Sequence, residues 1–501
     1  MKEPVFLEGV VTLDRTGQVP LAEQIYRGFR NAVRSGLLRS GTRLPATRRL
    51  AQSLGVGRNT VNVAYDLLQA EGIVVLRPGA AAQIADELSL EGEGAKPVAP
   101  PLVTGLSARG KRLSENLRGP GRSEQHIAFQ PGAPALDCFP YEDWARCLRR
   151  AARLERGDTM LYRHYAGIPA LRRQLVDHLA IERGVRATPD QILITSSMQA
   201  SLFLLAQALA DPGDEAWLEE PGYIGARTAF HTAGLTIRPM AVDRDGADPK
   251  TIVPSGNRSR LIYVTPSHQF PFGARMPLAR RLVLLEQAGK AGAVVLEDDY
   301  DSEFLFEGRP VAALYGLAEE GRVVYMSTFS KSLMPGLRIA YCVVPECLAE
   351  RLSQGVRNMG CAANVQTQAA LAHFMDSGGY RKHLKTIMQI YLERGSALVA
   401  ALKNRLGDRI SVEAPAGNVQ VTLAFRQPVD DVAISAAMHR HGFSVSPLSS
   451  YYVGENAKPG LVIGFAGASM KEIETGVQTL ARLLDDAERT SKAAFVERRP
   501  G

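Results

Sequence analysis

Polar residues at the ends of strand-like runs could together do chemistry. Lys331 follows the apolar run VVYMS, Asp298 ends the run AVVLED, and Tyr223 follows EAWLEE in the segment EEPGY. A lysine offers an amine to a carbonyl, a carboxylate holds a proton on a ring nitrogen, and a tyrosine ring stacks on another ring. Each signal alone is weak, because a Ser-Lys pair is usually a solvated surface pair and Pro-Gly-Tyr is usually a turn.

Pyridoxal phosphate is a cofactor whose needs match this set: an amine, a carboxylate at the pyridine nitrogen, an aromatic on the ring face and a phosphate cradle. Lys331, Asp298 and Tyr223 supply the first three, and Tyr300 can donate to the phenolic oxygen. For the phosphate, a helix is expected to begin directly after the run ILITS, and the backbone N–H groups of residues 197–199 at its start could bind an anion. Hydroxyls and a guanidinium on the other side come from Thr328, Ser330 and Arg338.

The order of elements explains how these residues could meet. From about residue 126 to 486, apolar strand-like runs (QILITS, EAWLEE, RLIYVTP, AVVLEDDY, RVVYMSTFS) alternate with segments of helical periodicity. Such alternation predicts an α/β fold with a largely parallel sheet covered on both faces. Ligands of such sheets bind beyond the carboxyl ends of the strands, which is where the polar residues stand.

Length and composition limit the class of protein. The chain has 501 residues, 45% hydrophobic and 22% charged, which indicates a globular protein of two or three domains. It has no apolar run long enough for a membrane span, and its start lacks a signal peptide, so we expect a cytoplasmic protein with no membrane partner. The five cysteines have no metal-ligand spacing, so reduced thiols and no metal site are expected.

Positive charge is concentrated near the N-terminus. Between Ala22 and Thr60 there are eight arginines and one acid, Glu23, so this window carries +7, as much as the whole chain. Apolar residues repeat every four positions from Leu21 to Val33, and further helices are predicted near Thr47 and from Arg58, with two short strands about residues 78–79. A charge run is usually only a solvated helix face, but this arrangement predicts a winged helix-turn-helix.

The segment LPATRRLAQSLGVGRNTVNVAYDLLQAEG resembles the winged helix-turn-helix of GntR-type bacterial transcription regulators, over about residues 18–86. The resemblance implies binding to double-stranded operator DNA, with Arg48, Arg58 and Thr60 as the main contacts and Arg43 and Arg49 at phosphates. The wing departs from the usual Gly-x-Gly turn, since three alanines follow Gly79.

The predicted domains are a DNA-binding domain at 1–86, a mostly extended linker at 87–126, a large domain at 127–488 and a frayed tail at 489–501. The linker is rich in Gly, Pro, Ser and charged residues and has no sustained periodicity.

The large domain resembles the fold-type I aminotransferases. Six segments of this chain resemble motifs of that family and occur in the family's order: YRHYAGIPALRRQL, ILITSSMQASL, EEPGYIGAR, VTPSHQFPFG, LEDDYDSEF and STFSKSLMPGLRIAY. That similarity implies pyridoxal phosphate joined to Lys331, with Asp298 at the ring nitrogen, Tyr300 at the phenolic oxygen and Tyr223 stacked on the ring. It places the phosphate against Met198, Gln199, Thr328, Ser330 and Arg338. It also implies a homodimer in which Tyr162 reaches the partner's phosphate.

A GntR-like head joined to an aminotransferase-like body resembles the MocR/GabR subfamily of transcription regulators. The resemblance implies a regulator, not an enzyme, whose body senses a small-molecule effector: pyridoxal phosphate itself, or an amine or amino acid that forms an external aldimine. The alternatives are an active aminotransferase with an accessory DNA-binding head, and a plain enzyme with an N-terminal dimerisation helix pair.

The sequence departs from the aminotransferase pattern at positions that bind the carboxylate of the substrate. Val462, in LVIGFA, stands where aminotransferases have a carboxylate-binding arginine, and Gly225 stands at a second basic position of some relatives, with Arg227 close by. Asn418, in AGNV, departs from the usual AGLH. We therefore expect the effector to be the cofactor itself or a ligand held through a different basic group.

Overall fold

The structure of the chain is a computed structural model that describes residues 10–17, 19–76, 81–85, 105–114, 127–253, 258–306, 308, 311–318, 321–454 and 456–497. The chain divides into two compact units, Met1–Thr104 and Gly105–Gly501. Each unit has a hydrophobic core of its own. All five cysteines are free thiols.

The first unit is a winged helix-turn-helix, as predicted. The helices are α1 (Leu21–Arg34), α2 (Thr47–Leu54) and α3 (Arg58–Ala70), and the antiparallel strands are β1 (Val74–Val75) and β2 (Gln83–Ile84). Ile25 and Phe29 on the apolar stripe of α1 are fully buried. Gly55 ends α2 with a φ of 63°, a left-handed conformation that glycine adopts without strain. The predicted wing turn at residues 78–80 lies outside the described residues.

A segment before α1, for which the sequence analysis predicted no structure, contacts the turn between α2 and α3. The Arg15 guanidinium donates to the Leu54 and Gly55 carbonyls, at 3.0 and 2.9 Å. These carbonyls stand at the end of α2, where a positive charge is favourable. Val10, Val11 and Leu13 pack against the helical core.

The second unit contains an eight-stranded, mostly parallel sheet, which confirms the predicted α/β class. Its strand order is β3-β10-β9-β8-β7-β4-β5-β6, in which β10 and β6 run antiparallel to their neighbours. The strands are β3 (Ile192–Thr195), β4 (Glu215–Glu220), β5 (Thr236–Asp243), β6 (Gly246–Ala247), β7 (Ser259–Val264), β8 (Val294–Asp298), β9 (Val323–Thr328) and β10 (Ala340–Val343).

Helices cover both faces of this sheet. Val295 and Leu296, consecutive in β8, belong to different hydrophobic clusters, because successive strand residues point to opposite faces. The helices are α4 (Ala108–Ser114), α5 (Tyr141–Leu154), α6 (Pro169–Arg183), α7 (Met198–Leu209), α8 (Ile224–Ala233), α9 (Leu278–Ala291), α10 (Leu314–Leu317), α11 (Glu346–Asn358), α12 (Val365–Asp376), α13 (Gly379–Leu406), α14 (Asp431–Arg440) and α15 (Met470–Glu497).

A second, smaller sheet follows in the chain. It is antiparallel, has the order β11-β12-β14-β13, and its buried side chains share a hydrophobic cluster with α13 and α15. Its strands are β11 (Ile410–Val412), β12 (Gln420–Phe425), β13 (Ser446–Pro447) and β14 (Gly460–Gly464).

Two predicted irregular segments contain helix. Within the predicted linker, residues 105–114 are described and contain α4, which contacts α8. The Ser107 hydroxyl accepts a hydrogen bond from the Gly110 N–H at 3.0 Å, so it caps α4 at its start. At the C-terminus, α15 continues past residue 488 to Glu497. The segment KAAFVE has neither glycine nor proline, so no residue of low helix propensity ends the helix earlier.

Among the helices that the structure describes, none combines the length and apolar character that crossing a membrane requires.

Candidate functional site

The predicted site residues stand at one edge of the large sheet. Strands β4, β7, β8 and β9 are parallel neighbours, so their carboxyl ends lie side by side. Asp298 is the last residue of β8, Thr328 the last of β9, and Tyr223 follows the end of β4. The sheet register therefore collects residues that are far apart in sequence.

Lys331 lies in the turn after β9, where its amine is held by a backbone carbonyl. Its Nζ donates to the Gly132 carbonyl at 2.7 Å, and its own carbonyl accepts from the Tyr391 hydroxyl at 3.2 Å. Gly132 has a φ of 73°, and a Cβ built there would lie 2.2 Å from Lys331 Nζ. The positive φ favours glycine at 132, and a larger residue there would also displace the lysine amine from its present position.

Asp298 and Tyr300 are buried beside the lysine with unused hydrogen-bonding capacity. The Tyr263 hydroxyl donates to Asp298 Oδ2 at 2.5 Å. Asp298 Oδ1 has no hydrogen-bond partner among the described residues, and the Tyr300 hydroxyl has no close one there, although the Asp301 carboxylate lies near it. Burial raises the pKa of Asp298 to about 7, although the Tyr263 hydrogen bond and the Lys331 charge oppose the rise. Burial also raises the pKa of Tyr300 well above its ordinary value.

An aromatic group surrounds these polar atoms. The Phe270 ring meets the rings of Tyr223, Tyr300 and Tyr451 edge-on, with centroid distances of 5.6, 6.0 and 5.3 Å. Tyr223 also lies nearly parallel to Tyr263, at 6.4 Å and 24°. The predicted stacking residue is therefore part of an aromatic wall, which also includes Phe270, the aromatic of the segment SHQFP, to which the sequence analysis gave no role in the site.

The predicted phosphate residues lie around two turns. Met198 and Gln199 begin α7, and the Ser197 hydroxyl accepts from the Ala200 N–H at 3.1 Å. Across the site, the Thr328 and Ser330 hydroxyls are 2.9 Å apart and share a hydrogen bond. A helix start and paired hydroxyls are suitable donors for an anion.

Arg338 directly precedes the short stretch that leads into β10, in an unusual backbone conformation. Its φ is 54° and its ψ is 48°, which is the left-handed region that residues with a side chain rarely occupy. Its side chain is exposed.

Tyr162 is not brought to this site by its own chain's fold. It is 88% exposed, and its neighbours Met160 and Leu161 are also exposed apolar residues. The expectation that Tyr162 reaches a partner's phosphate stays a prediction.

In the N-terminal unit, the predicted DNA contacts share one region of the helix-turn-helix. Arg58 and Thr60 are in the first turn of α3, and Arg48 and Arg49 are in the first turn of α2. Arg58 Nε approaches the Thr47 hydroxyl at 3.4 Å, which links the starts of the two helices. The arginines at 43, 48, 49 and 58 all have exposed side chains.

Ion pairs beneath the site were not predicted. Arg183 Nε donates to Asp299 Oδ2 at 2.7 Å with both side chains buried, and Arg183 Nη2 donates to the Ser267 hydroxyl at 2.7 Å. The Arg183 charge and several hydrogen bonds hold the pKa of Asp299 below its ordinary value despite burial. His268 Nδ1 lies 2.8 Å from Asp301 Oδ1. The only sequence signal was the density of acids in LEDDYDSE.

The position of the expected carboxylate-binding arginine is apolar. Val462 is fully buried and packs in a cluster with Ile224, Leu448 and Tyr451. The nearby Arg227 donates from Nη1 and Nη2 to the carbonyls of Tyr452 and Ser450, at 2.7 and 3.1 Å.

Family comparisons divide the chain as the fold does. The family "Aminotransferase class I and II" matches residues 131–480, and "Bacterial regulatory proteins, gntR family" matches residues 21–84. The chain is similar in fold to an archaeal alanine:glyoxylate aminotransferase, with a TM-score of 0.69 and 25% identity over 76% of this chain and 98% of that one.

Two relatives that match most of the chain are named as regulators. The chain is 38% identical to the probable rhizopine catabolism regulatory protein MocR of Rhizobium meliloti, over 94% of this chain and 95% of that protein. It is 29% identical to the HTH-type pyridoxine biosynthesis transcriptional regulator PdxR of Corynebacterium glutamicum, over 88% and 91%. With a gntR-family helix-turn-helix and a class I/II aminotransferase domain in one chain, this protein belongs to the MocR-type family of transcriptional regulators.

Proposed function

We propose that the protein is a pyridoxal phosphate-binding regulator whose aminotransferase-like domain senses a small ligand and adjusts the binding of operator DNA. The observation that supports this best is the pair of buried atoms without a close hydrogen-bond partner among the described residues, Asp298 Oδ1 and the Tyr300 hydroxyl, beside the Lys331 amine. Buried polar groups without partners are rare in folded proteins. A pyridinium nitrogen and a phenolic oxygen would satisfy these two.

The charges of the site residues also suit the cofactor. Asp298 has a pKa of about 7 without a cationic ring above it, and a protonated ring nitrogen would stabilise its ionised form. Tyr223 covers the ring, and the donors at the start of α7, with Thr328, Ser330 and Arg338, hold the phosphate. When bound, pyridoxal phosphate supplies a carbonyl that captures primary amines.

The N-terminal unit binds double-stranded DNA through α3. Arg58 and Thr60 meet base edges or phosphates from the first turn of that helix, with Arg48 beside them, and Arg43 and Arg49 contact phosphates. The exposure of these arginines supports their assignment.

The working form is a homodimer in which Tyr162 completes the phosphate site of the partner. Support comes from the 88% exposure of this tyrosine and from the exposed apolar side chains of Met160 and Leu161. Clustered exposed apolar residues are typical of protein interfaces.

The effector acts by its difference in affinity between two states of the protein, one of which binds the operator more tightly. An active aminotransferase is the second candidate, because both Lys331 and Asp298, the residue types that this chemistry needs, are present and lie within range of each other's charge. The buried Val462 disfavours it, since a substrate held without a carboxylate clamp is poorly oriented for reaction.

The absorbance spectrum of the purified protein tests the proposal, together with that of the Lys331→Ala variant. We expect a band at about 420 nm in the wild type that the variant lacks. A wild-type protein without this band after addition of the cofactor would overturn the proposal. Binding of promoter DNA by both proteins, measured by fluorescence anisotropy, checks that the variant is folded.

A further inference from the structure

Tyr263 is a buried side chain that contacts Asp298 from the neighbouring strand. It lies in β7 opposite Leu296 of β8, so its side chain is on the same face of the sheet as that of Asp298, two residues further along β8. Its hydroxyl donates to Asp298 Oδ2 at 2.5 Å, and the residue is 0% exposed. Within the described part of the chain, no other group donates a hydrogen bond to the Asp298 carboxylate. The orientation of this carboxylate therefore depends on Tyr263.

Aromatic rings hold Tyr263 in place. Its ring lies nearly parallel to that of Tyr223, with 6.4 Å between the centroids, and meets the buried ring of Phe230 edge-on at 6.3 Å. Close packing of this kind restricts the ring, so the hydroxyl stays at the carboxylate. Tyr223 is the residue proposed to cover the cofactor ring, and Asp298 is the one proposed at its nitrogen. Tyr263 therefore contacts both of the side chains that are assigned to the ring.

The next acid in the chain shows how a structural pair of this kind differs. Asp299 Oδ2 accepts a hydrogen bond at 2.6 Å from the hydroxyl of Tyr325, which is also buried. The same oxygen accepts from Arg183 at 2.7 Å, so Asp299 already has a counter-charge. Asp298, in contrast, accepts only from the neutral hydroxyl of Tyr263 among the described residues. Its carboxylate is thus held in place but not neutralised, which suits a site for a cationic ring nitrogen.

The Tyr263 hydroxyl also affects where a proton lies. Burial and the nearby Asp298 charge raise the pKa of Tyr263 well above its ordinary value, so the hydroxyl keeps its proton and stays a donor. Burial raises the pKa of Asp298 to about 7, and the Tyr263 hydrogen bond is the largest contribution that opposes this rise. Only an ionised carboxylate attracts the positive charge of a protonated ring nitrogen. Loss of the hydroxyl should therefore move a shared proton from the ring nitrogen towards Asp298.

We propose that Tyr263 is a positioning residue of the cofactor site, which holds Asp298 Oδ2 so that Oδ1 and the negative charge serve the ring nitrogen. This inference rests on the proposed function, because it concerns the cofactor bound at Lys331. Tyr263 acts through Asp298, and its ring also supports Tyr223.

Replacement of Tyr263 by phenylalanine in the full-length protein tests this, because it removes the hydroxyl and keeps the ring with its packing. We expect the Kd for pyridoxal phosphate, from a spectroscopic titration, to rise about tenfold, since a hydrogen bond to a charged group is lost. The pH at which the band at about 420 nm is half lost should also rise, by about 0.5–1 pH unit. With less positive charge on the ring, the nitrogen joined to Lys331 keeps its proton to higher pH. A purely structural role of Tyr263 would not shift this pH midpoint.

Tyr325→Phe is the matched control. It removes a similarly buried hydroxyl from the adjacent Asp299, whose Arg183 partner remains. We expect this variant to keep the wild-type Kd and pH midpoint. Tyr263→Phe added to Asp298→Asn should cause no further shift of the midpoint, because the carboxylate through which Tyr263 acts is absent. Calorimetry of the cofactor-free proteins checks that each variant is folded.

The outcomes distinguish this inference from the proposed function. If the wild type shows the band at about 420 nm and Tyr263→Phe has the wild-type Kd and midpoint, the inference is wrong and the proposed function stands. Equal changes in Tyr263→Phe and Tyr325→Phe lead to the same conclusion, since they would reflect only the loss of a buried hydroxyl. A wild type without the band after addition of the cofactor overturns both.

Discussion

Replacement of Asp298 by asparagine in the cofactor-free protein should make the protein more stable at high pH relative to the wild type. Asp298 is 3% exposed, and burial raises its pKa to about 7, whereas an unfolded chain has a carboxyl pKa of about 3.9. Between these values the folded protein retains a proton that the unfolded chain releases. The wild type therefore loses stability as the pH rises from about 4 to about 7, and asparagine does not titrate.

The size of this effect follows from the two pKa values. Linkage gives a cost to the wild type of about 2 kcal/mol at pH 5 and about 4 kcal/mol at pH 8, a difference of about 2–3 kcal/mol. An unfolding entropy of about 2.1 cal/mol/K per residue over Gly105–Gly501 converts this difference into about 3 °C in the unfolding midpoint. The nearby Asp299 and Asp301 carboxylates oppose ionisation of Asp298 but are present in both proteins.

Differential scanning calorimetry of both cofactor-free proteins at pH 5 and pH 8 measures the effect. We expect the midpoint of the variant, relative to that of the wild type, to rise by about 3 °C between these pH values. Asp408→Asn, at an exposed position, controls for the loss of one charge. A midpoint difference that is the same at both pH values would refute the reasoning, since it would mean that Asp298 ionises normally when buried.

Three further changes test other contacts. Arg183→Met leaves the Asp299 charge buried without its 2.7 Å partner. Calorimetry should show the C-terminal unit destabilised by about 3–5 kcal/mol. Adding Asp299→Asn to this variant should restore part of the lost stability in the same measurement. Arg58→Ala should weaken promoter binding and reduce the slope of log K against log salt concentration by about 0.9, measured by anisotropy, if this arginine contacts a phosphate. Gly132→Ala, whose Cβ would lie 2.2 Å from Lys331 Nζ, should weaken cofactor binding at least tenfold in a spectroscopic titration while promoter binding is retained.

Local patterns predicted the elements of the fold well. The four-residue apolar repeat from Leu21 placed α1, and turn residues placed the breaks after it. Apolar runs that end in polar residues identified β4, β8 and β9, and so the edge where Lys331 and Asp298 lie. These signals depend on residues close in sequence, and the resemblance to known families supplied the role of each.

Contacts between distant residues could not be predicted in this way. Arg183 and Asp299 are separated by 116 positions, and Tyr263 and Asp298 by 35. The second pair forms because β7 and β8 are neighbours in the sheet, and the first because the end of helix α6 packs beside the residue that follows β8; no local pattern encodes either contact. The helix α4 was missed for the opposite reason, since its seven residues are too few to show periodicity.

The left-handed backbone at Arg338 has a cost in stability that bears on the role proposed for its side chain. A glycine would adopt a φ of 54° freely, whereas a residue with a side chain pays about 1–2 kcal/mol for it. Glycine also loses more conformational freedom on folding, about 0.4–1 kcal/mol, so its net advantage at 338 is small. If Arg338 holds the cofactor phosphate as we propose, Arg338→Gly should weaken cofactor binding while the free energy of unfolding stays the same or rises slightly.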